Sequence, residues 1–253
     1  MKNSIAILPT SPSLEQTARA VANQLNLPLI LHPTEQYDYL FLITPDYVAL
    51  QKNHDKKSLP VYINFLSKKF QYRKKNSSTL KENLVRALGL KKNQTATIID
   101  ATGGLAQDSF VLAHLGFEVK LLERSSLIHA LLQDGIHRGL KELTIAPMIK
   151  RLHLIHADAI KWLKNREKIE YIYLDPMFPE RKKSALVKKE MQFFQDIIGD
   201  DHDADLLLKT ALACATKRVV VKRPRLAPLL IETPAPHFQL KGKSIRFDVY
   251  LTG

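Results

Sequence analysis

One cysteine, Cys214, occurs in 253 residues, so the chain can form neither an internal disulfide nor a thiolate metal cluster. It lies in the apolar patch Ala211-Leu212-Ala213-Cys214-Ala215 and reads as a buried structural thiol, which suits a reducing compartment. No window reaches the roughly 18 apolar residues of a membrane span. The opening MKNSIAILPTSPS lacks the long apolar core and cleavage site of a signal peptide. The expectation is a soluble, cytoplasmic protein. Metal-ligand spacing is also lacking. His153 and His156 flank one strand end on opposite faces, and no carboxylate-histidine motif includes them, His129 or His137, so no metal is expected. Acidic residues are scarce, 25 against 38 basic ones, for a net charge of +13. That excess points to a polyanion such as nucleic acid, or to an anionic membrane surface. A basic surface that only aids solubility is the plain alternative.

What is present is a chain of two textures. Residues 1–75 read as a small α+β unit. Ser4 to Leu8 is a candidate strand. Ser13 to Asn26 reads as a helix capped by Ser13, with Leu14, Ala18, Val21 and Leu25 at helical spacing. Tyr39 to Ile43 and Leu59 to Phe65 read as further strands, with the polar turn QKNHDKKS before the second. The boundary stretch SKKFQYRKKNSSTLK carries Lys68, Lys69, Arg73, Lys74, Lys75 and Lys81 around Phe70 and Tyr72. Bases that neutralise phosphates and rings that stack on nucleobases make it an RNA-contact candidate. A solvated linker would look similar.

Residues 76–253 alternate strand and helix. A helix from Thr79 buries Leu80, Leu84, Val85 and Leu88 and ends at Gly89. Strands follow at Thr97 to Asp100, Phe117 to Glu123, Leu152 to Ile155, Glu170 to Asp175 and Arg218 to Lys222. Helices fall at Leu105 to Leu115, around Leu127 to Leu132, at Ala157 to Leu163, near Lys188 to Ile198, and at Ala204 to Ala215. Two closing strands, His237 to Leu240 and Ile245 to Leu251, are too close for a crossover helix and must be antiparallel. The expected fold is α/β, a mixed sheet with helices on both faces. Ligands in such sheets bind outside the carboxyl ends of the strands. Asp100, Glu123 and Asp175 all end predicted strands and should gather along that edge.

DATGGLAQD, Asp100 to Asp108, follows a strand and opens a helix. Gly103 and Gly104 allow a sharp turn and close approach of a ligand. Glu123 ends the next strand, where an acid can hold both hydroxyls of a ribose. The glycine fingerprint of dinucleotide folds is absent, and Asp100 and Asp108 would sit badly beside a phosphate. They suit a ligand with an amino group and a positive centre, as in S-adenosylmethionine (SAM). Asp158, opening the helix after IHADAI, is a candidate acceptor for an adenine amino group.

Asp100 to Glu123 resembles motifs one and two of the class I SAM-dependent methyltransferases. LDPMFPERKKSALVKKEMQFF, DATGGLAQDSFVLAHLGFEVKLLER, ALACATKRVVVKRP and GKSIRFDVYL resemble a narrower group, the bacterial RsmJ family, which methylates the exocyclic N2 of one guanine in 16S rRNA. The resemblance spans roughly residues 60–253. It implies a Rossmann-like methyltransferase domain with a seven-stranded mixed sheet and SAM as cofactor. It places cofactor contacts on Gln107-Asp108, Glu123-Arg124, Ala157-Asp158 and Asp175. The family usually has a glycine and an arginine where this chain has Ala106 and Gln107.

The turn after Leu174 then takes on a role. Guanine N2 is a poor nucleophile, so transfer needs alignment with the methyl group and accommodation of the charge that develops. On this reading Asp175 and the Pro176 carbonyl accept hydrogen bonds from the amine, Phe178 stacks on a base swung out of the RNA, and proton loss follows transfer. Arg181, Lys182, Lys183, Lys188 and Lys189 would grip adjacent phosphates, with Lys222 and Arg223 as a second grip on the same sheet edge. A surface loop with an inward aromatic is the bland alternative. Two rivals remain: a non-catalytic RNA-binding protein on this fold, and an enzyme acting on adenine or another base.

Overall fold

The computed structural model describes residues 4–55, 59–76, 82–91, 93–166, 168–177, 197 and 201–253, apart from the side chains of 69 and 74–76. The first part holds a three-stranded sheet of β1 (Ile5–Pro9), β2 (Tyr39–Ile43) and β3 (Val48–Lys52). β1 pairs with β2 in parallel, and β2 with β3 antiparallel. Helix α1 (Glu15–Leu25) connects the first two, entered through a 3-10 turn at Pro12–Leu14. Ser13 does not cap it. Its hydroxyl meets that of Ser11 at 2.9 Å, and the short turn displaces the helix start to Glu15.

The third strand is also not where the pattern placed it. Val48-Ala49-Leu50 form it, and of Leu59 to Phe65 only Val61 makes a bridge, to Leu50. Ile63 and Phe65 turn inward as core residues instead. Helix α2 (Lys68–Asn76) carries the basic stretch. Its Phe70 is buried, edge-on to Phe110 at 5.1 Å, so this ring is core and Tyr72 is the exposed one.

The seven-stranded sheet has the order β6-β5-β4-β7-β8-β10-β9. Its strands are β4 (Thr97–Asp100), β5 (Glu118–Glu123), β6 (Leu152–His156), β7 (Ile169–Leu174), β8 (Ala215–Pro224), β9 (Phe238–Lys241) and β10 (Ile245–Leu251). Pairing is parallel from β6 through β8, and antiparallel where β10 meets β8 and β9. β10 alone thus runs against the other six strands, and the short turn from β9 to β10 joins an antiparallel pair as expected. Helices α3 (Asn83–Leu88), α4 (Gln107–His114), α5 (Ser126–Leu140), α6 (Ala146–Ile149), α7 (Ala159–Lys164) and α8 (Ala204–Cys214) cover the faces. Gly89 ends α3 at φ +69°, a left-handed C-cap. The four-residue α6, with Pro147 in its first turn, is a helix the sequence pattern does not predict.

Two apolar clusters fill the two faces. One joins Ile7, Phe41 and Phe65 to Phe110, Val119 and Leu131, so the small sheet and the large one share a continuous core. The other packs Leu207, Leu208 and Ala211 of α8 under Ile172, Leu174 and Val221. Among the described residues no helix is long and apolar enough to cross a membrane. The helix expected near Lys188 to Ile198 lies outside the described residues, as do Thr79 to Lys81, apart from Ile197.

Candidate active site

The strand order reverses beside β4: β5 and β6 lie on one side, β7 and β8 on the other. The crevice at the carboxyl ends of β4 and β7 is therefore the switch point at which such sheets bind ligands. Asp100 ends β4, Glu123 ends β5, and Asp175 follows the last residue of β7. The expected gathering of these acids is found.

The turn after β4 is shaped by close contact. Gly103 donates its backbone N–H to the Leu122 carbonyl at 2.9 Å, and a Cβ there would stand 3.1 Å from that oxygen. Gly104 has φ +49° and Ala106 +54°, so both occupy the left-handed region. Alanine bears a strain of order 1 kcal/mol there, which gives a physical reason for the glycine usual in the resembled family. Glu123 is buried, and its two oxygens accept the N–H groups of Gly104 at 2.9 Å and Ser125 at 2.7 Å. Burial raises its carboxyl above the ordinary value, while those two bonds oppose the rise. The carboxylate is thus oriented, with lone pairs left over to accept hydroxyls.

Asp100 is more enclosed. It accepts the Ser109 hydroxyl and the Thr102 N–H, the latter at 3.1 Å. Burial pushes it up to about 7, against the pull of those bonds. Its place is under the turn, bracing it.

Asp108 lies at the centre of a charged cluster. Arg73 of α2 approaches its Oδ1 at 2.7 Å, while Tyr173 Oη and Lys222 Nζ donate to its Oδ2 at 2.7 and 2.8 Å. Burial opposes its charge, but Lys222 and Arg73 more than reverse this and hold it well below the usual carboxylate range. Lys222 also reaches Asp175 Oδ2 at 2.7 Å. Burial raises Asp175, Lys222 lowers it, and the nearby Asp108 raises it, with a net upward direction. Water reaches Asp175 more freely than its neighbours, since its side chain is 38% exposed against 9% for Asp108.

Several expected roles move as a result. Lys222 points into the acid cluster, not out to phosphate, because the carboxylates of two other elements converge on its strand end. Arg223 is buried and donates to the Pro228 carbonyl at 2.9 Å, where it braces a loop. Arg73, expected at phosphate, instead faces Asp108 from the basic helix. Lys68 is exposed on α2; the side chains of Lys69 and Lys74 lie outside the described residues. Arg124 pairs with Asp201 and with Asp203 at 2.8 Å, so its guanidinium serves the chain near Asp201. Asp201 in turn accepts the Met177 N–H at 2.6 Å. This acid, absent from the expected set, holds the turn after β7. Its only signal in sequence is the acidic run around Asp200.

Asp158 caps α7, accepting the Lys161 N–H at 2.9 Å through Oδ1. Ala157 donates to the Glu123 carbonyl at 3.1 Å, which keeps this turn beside the β5 end. Gln107 opens α4 half-buried, and Pro176 is buried. Phe178, Arg181, Lys182, Lys183, Lys188 and Lys189 lie outside the described residues. The rings of His129 and His156 lie 4.8 Å apart, tilted by 32°, and among the described residues no group of three or more histidine, cysteine and acidic side chains could hold a metal.

The donor set fits SAM better than a dinucleotide. Oriented Glu123 suits a ribose, Asp158 has a second oxygen for an amino group, and acids stand where a pyrophosphate would need donors. A family model of SAM-dependent methyltransferases matches residues 21–252. The ribosomal RNA small subunit methyltransferase J of Nitrosococcus oceani is 42% identical over 245 residues, 95% of this chain and 96% of its own. That of Marinobacter nauticus is 43% identical over 240 residues, 92% and 86% of the two chains. The crystal structure of a SAM-dependent methyltransferase from Neisseria gonorrhoeae is 33% identical and covers 98% of this chain and 96% of its own, with a TM-score of 0.74.

Proposed function

The chain belongs to the ribosomal RNA small subunit methyltransferase J family, and on that premise we propose that the Asp175 turn is where it transfers a methyl group from SAM to the exocyclic N2 of a guanine in 16S rRNA. The protein is a SAM-dependent rRNA methyltransferase of Rossmann-like fold. One observation carries the assignment of the turn: Asp175 stands half-exposed at the switch point, hydrogen-bonded to Thr102 of the glycine turn.

SAM supplies an electrophilic methyl group on a cationic sulfur. The chain's own residues do the rest. Glu123, fixed by Gly104 and Ser125, accepts the ribose hydroxyls. The unused oxygen of Asp158 accepts an amino hydrogen of the adenine. Asp175 accepts a hydrogen of the guanine amine and so orients the nitrogen lone pair toward the methyl group. Its negative charge stabilises the positive charge that grows on nitrogen. The Pro176 carbonyl takes the second amine hydrogen, and Phe178 stacks on the extruded base. Lys68 and Tyr72 of α2, together with Arg181, Lys182, Lys183, Lys188 and Lys189, contact the flanking RNA. Site and partner meet on one edge because α2 leans on α4 through Phe70 and Phe110.

The test is a mapping experiment. 16S rRNA from cells lacking the gene is incubated with the protein and SAM, digested and read by mass spectrometry. One N2-methylguanine is expected. Methylation of adenine, or none on any base, would overturn the proposal.

A further inference from the structure

We propose that Lys222 is a positioning residue for methyl transfer: anchored on Asp108, its ammonium keeps the Asp175 carboxylate ionised and aimed, and does not grip RNA. The inference rests on the proposed role of Asp175 and adds a residue that the reaction needs but that touches neither reactant.

The register puts the lysine there. Leu174 of β7 pairs with Val221 of β8 in parallel, so Asp175, the first residue beyond β7, comes level with Lys222, which is still within β8 and paired with Phe247 of β10. The ammonium then spans two carboxylates, at 2.7 Å from Asp175 Oδ2 and 2.8 Å from Asp108 Oδ2, with its side chain 22% exposed. The two partners are not equivalent. Asp108 is held independently by Arg73 and by Tyr173, so it is a fixed anchor. Asp175 has a backbone bond to Thr102 and the lysine on one oxygen. The lysine leaves Asp175 Oδ1 for an amine hydrogen.

Charge gives the arrangement its purpose. Among the described residues, the charged and titratable groups that act on Asp175 are Asp100 from β4, Asp108 from α4, Tyr173 from β7, Arg73 from α2 and Lys222 from β8. Burial and the acid Asp108 favour the protonated form of Asp175; Lys222 and Arg73 favour the carboxylate, and Lys222 is the stronger and nearer of the two. A protonated Asp175 loses the charge that faces the developing cation and half its accepting capacity. A phosphate grip would have to draw the ammonium off both acids and leave buried Asp108 undercompensated.

Three forms separate the roles: wild type, Lys222→Met and Lys222→Arg. Single-turnover rates are measured against pH with saturating RNA and SAM. SAM affinity is measured against pH by calorimetry without RNA, and RNA affinity against salt. In the Met variant the acidic limb of both pH profiles should move upward by about one to three pH units, the effect of losing an adjacent opposite charge. The Arg variant should keep the wild-type limb. The salt slope of RNA binding should be the same in all three, whereas a lost phosphate contact would reduce it by about one. If Lys222→Met does not fold, Lys222→Gln takes its place, and the Arg variant still decides: a limb displaced despite its retained charge overturns the proposal. So does an unmoved limb in a folded neutral variant, or a reduced salt slope. Because the family resemblance also places a SAM contact on Asp175, the calorimetric limb reports on Lys222 without a methyl acceptor, even if the base proves not to be guanine.

Discussion

The backbone N–H of Asp175 donates to Thr102 Oγ1 at 2.7 Å. One hydroxyl thus joins the first residue beyond β7 to the glycine turn beyond β4. The candidate nucleophile-orienting acid and the candidate cofactor turn share a hydrogen bond, so their separation is set before either reactant binds. Such preorganisation is what alignment of a weak nucleophile requires.

Glu123→Ala should weaken SAM binding in the absence of RNA. Loss of hydrogen bonds to a charged acceptor costs about 1.5–3 kcal/mol, which is roughly a ten- to 150-fold rise in Kd. Calorimetry on the folded variant reads it. Equal affinity would take the ribose away from Glu123.

Asp175→Asn and Phe178→Ala should fail in different ways. Asparagine keeps the size and one acceptor but not the charge, so the chemical step should slow even with both reactants saturating. Removing the Phe178 ring should cost about 1–3 kcal/mol of base stacking, greatest at subsaturating RNA. Wild-type single-turnover rates in both variants would show that the turn does not carry the reaction.

Asp108→Ala should destabilise the fold by about 3–5 kcal/mol, because Lys222 and Arg73 lose a shared buried partner. The sign with pH follows from its lowered carboxyl. Its stabilisation is present above the ordinary carboxylate value and is lost as pH falls through the lower folded one. Urea unfolding should therefore show the wild type losing its advantage over the variant only in strong acid.

Asp100 has the opposite sign. Its folded carboxyl titrates near 7, above its unfolded value, so its contribution is complete below about pH 4 and is lost as pH rises through 7. Asp100→Asn should flatten the decline in stability across that window, by up to about 4 kcal/mol at neutral pH. Parallel wild-type and variant curves would place the titration elsewhere.

Much of the site was legible because its residues end strands. Asp100, Glu123 and Asp175 each close a short apolar run, and such runs are bounded clearly by glycine or proline. The partners were not legible. Lys222 meets Asp108 across 114 positions of sequence, and a basic run after a strand looks the same whether it faces RNA or acids. Phe70 failed similarly: a ring among lysines gives no sign that Phe65 and Phe110 await it. The third strand was misplaced because Val61-Tyr62-Ile63 has the stronger β-prone texture, while Val48-Ala49-Leu50 has the neighbour. Pairing, not propensity, decided between them.

The clasp at Met177 has a further consequence. Met177 donates its N–H to the Asp201 side chain, and its carbonyl accepts the Asp201 N–H at 3.3 Å. Asp201 thereby carries two loads at once: it fixes the residue two positions beyond Asp175, and through Arg124 it ties that residue to the end of β5, where Glu123 stands. The acid-bearing ends of two strands that are not neighbours in the sheet are thus yoked through one carboxylate outside it. Loss of that carboxylate would loosen the amine side and the ribose side of the site together, although Asp201 itself need touch neither reactant.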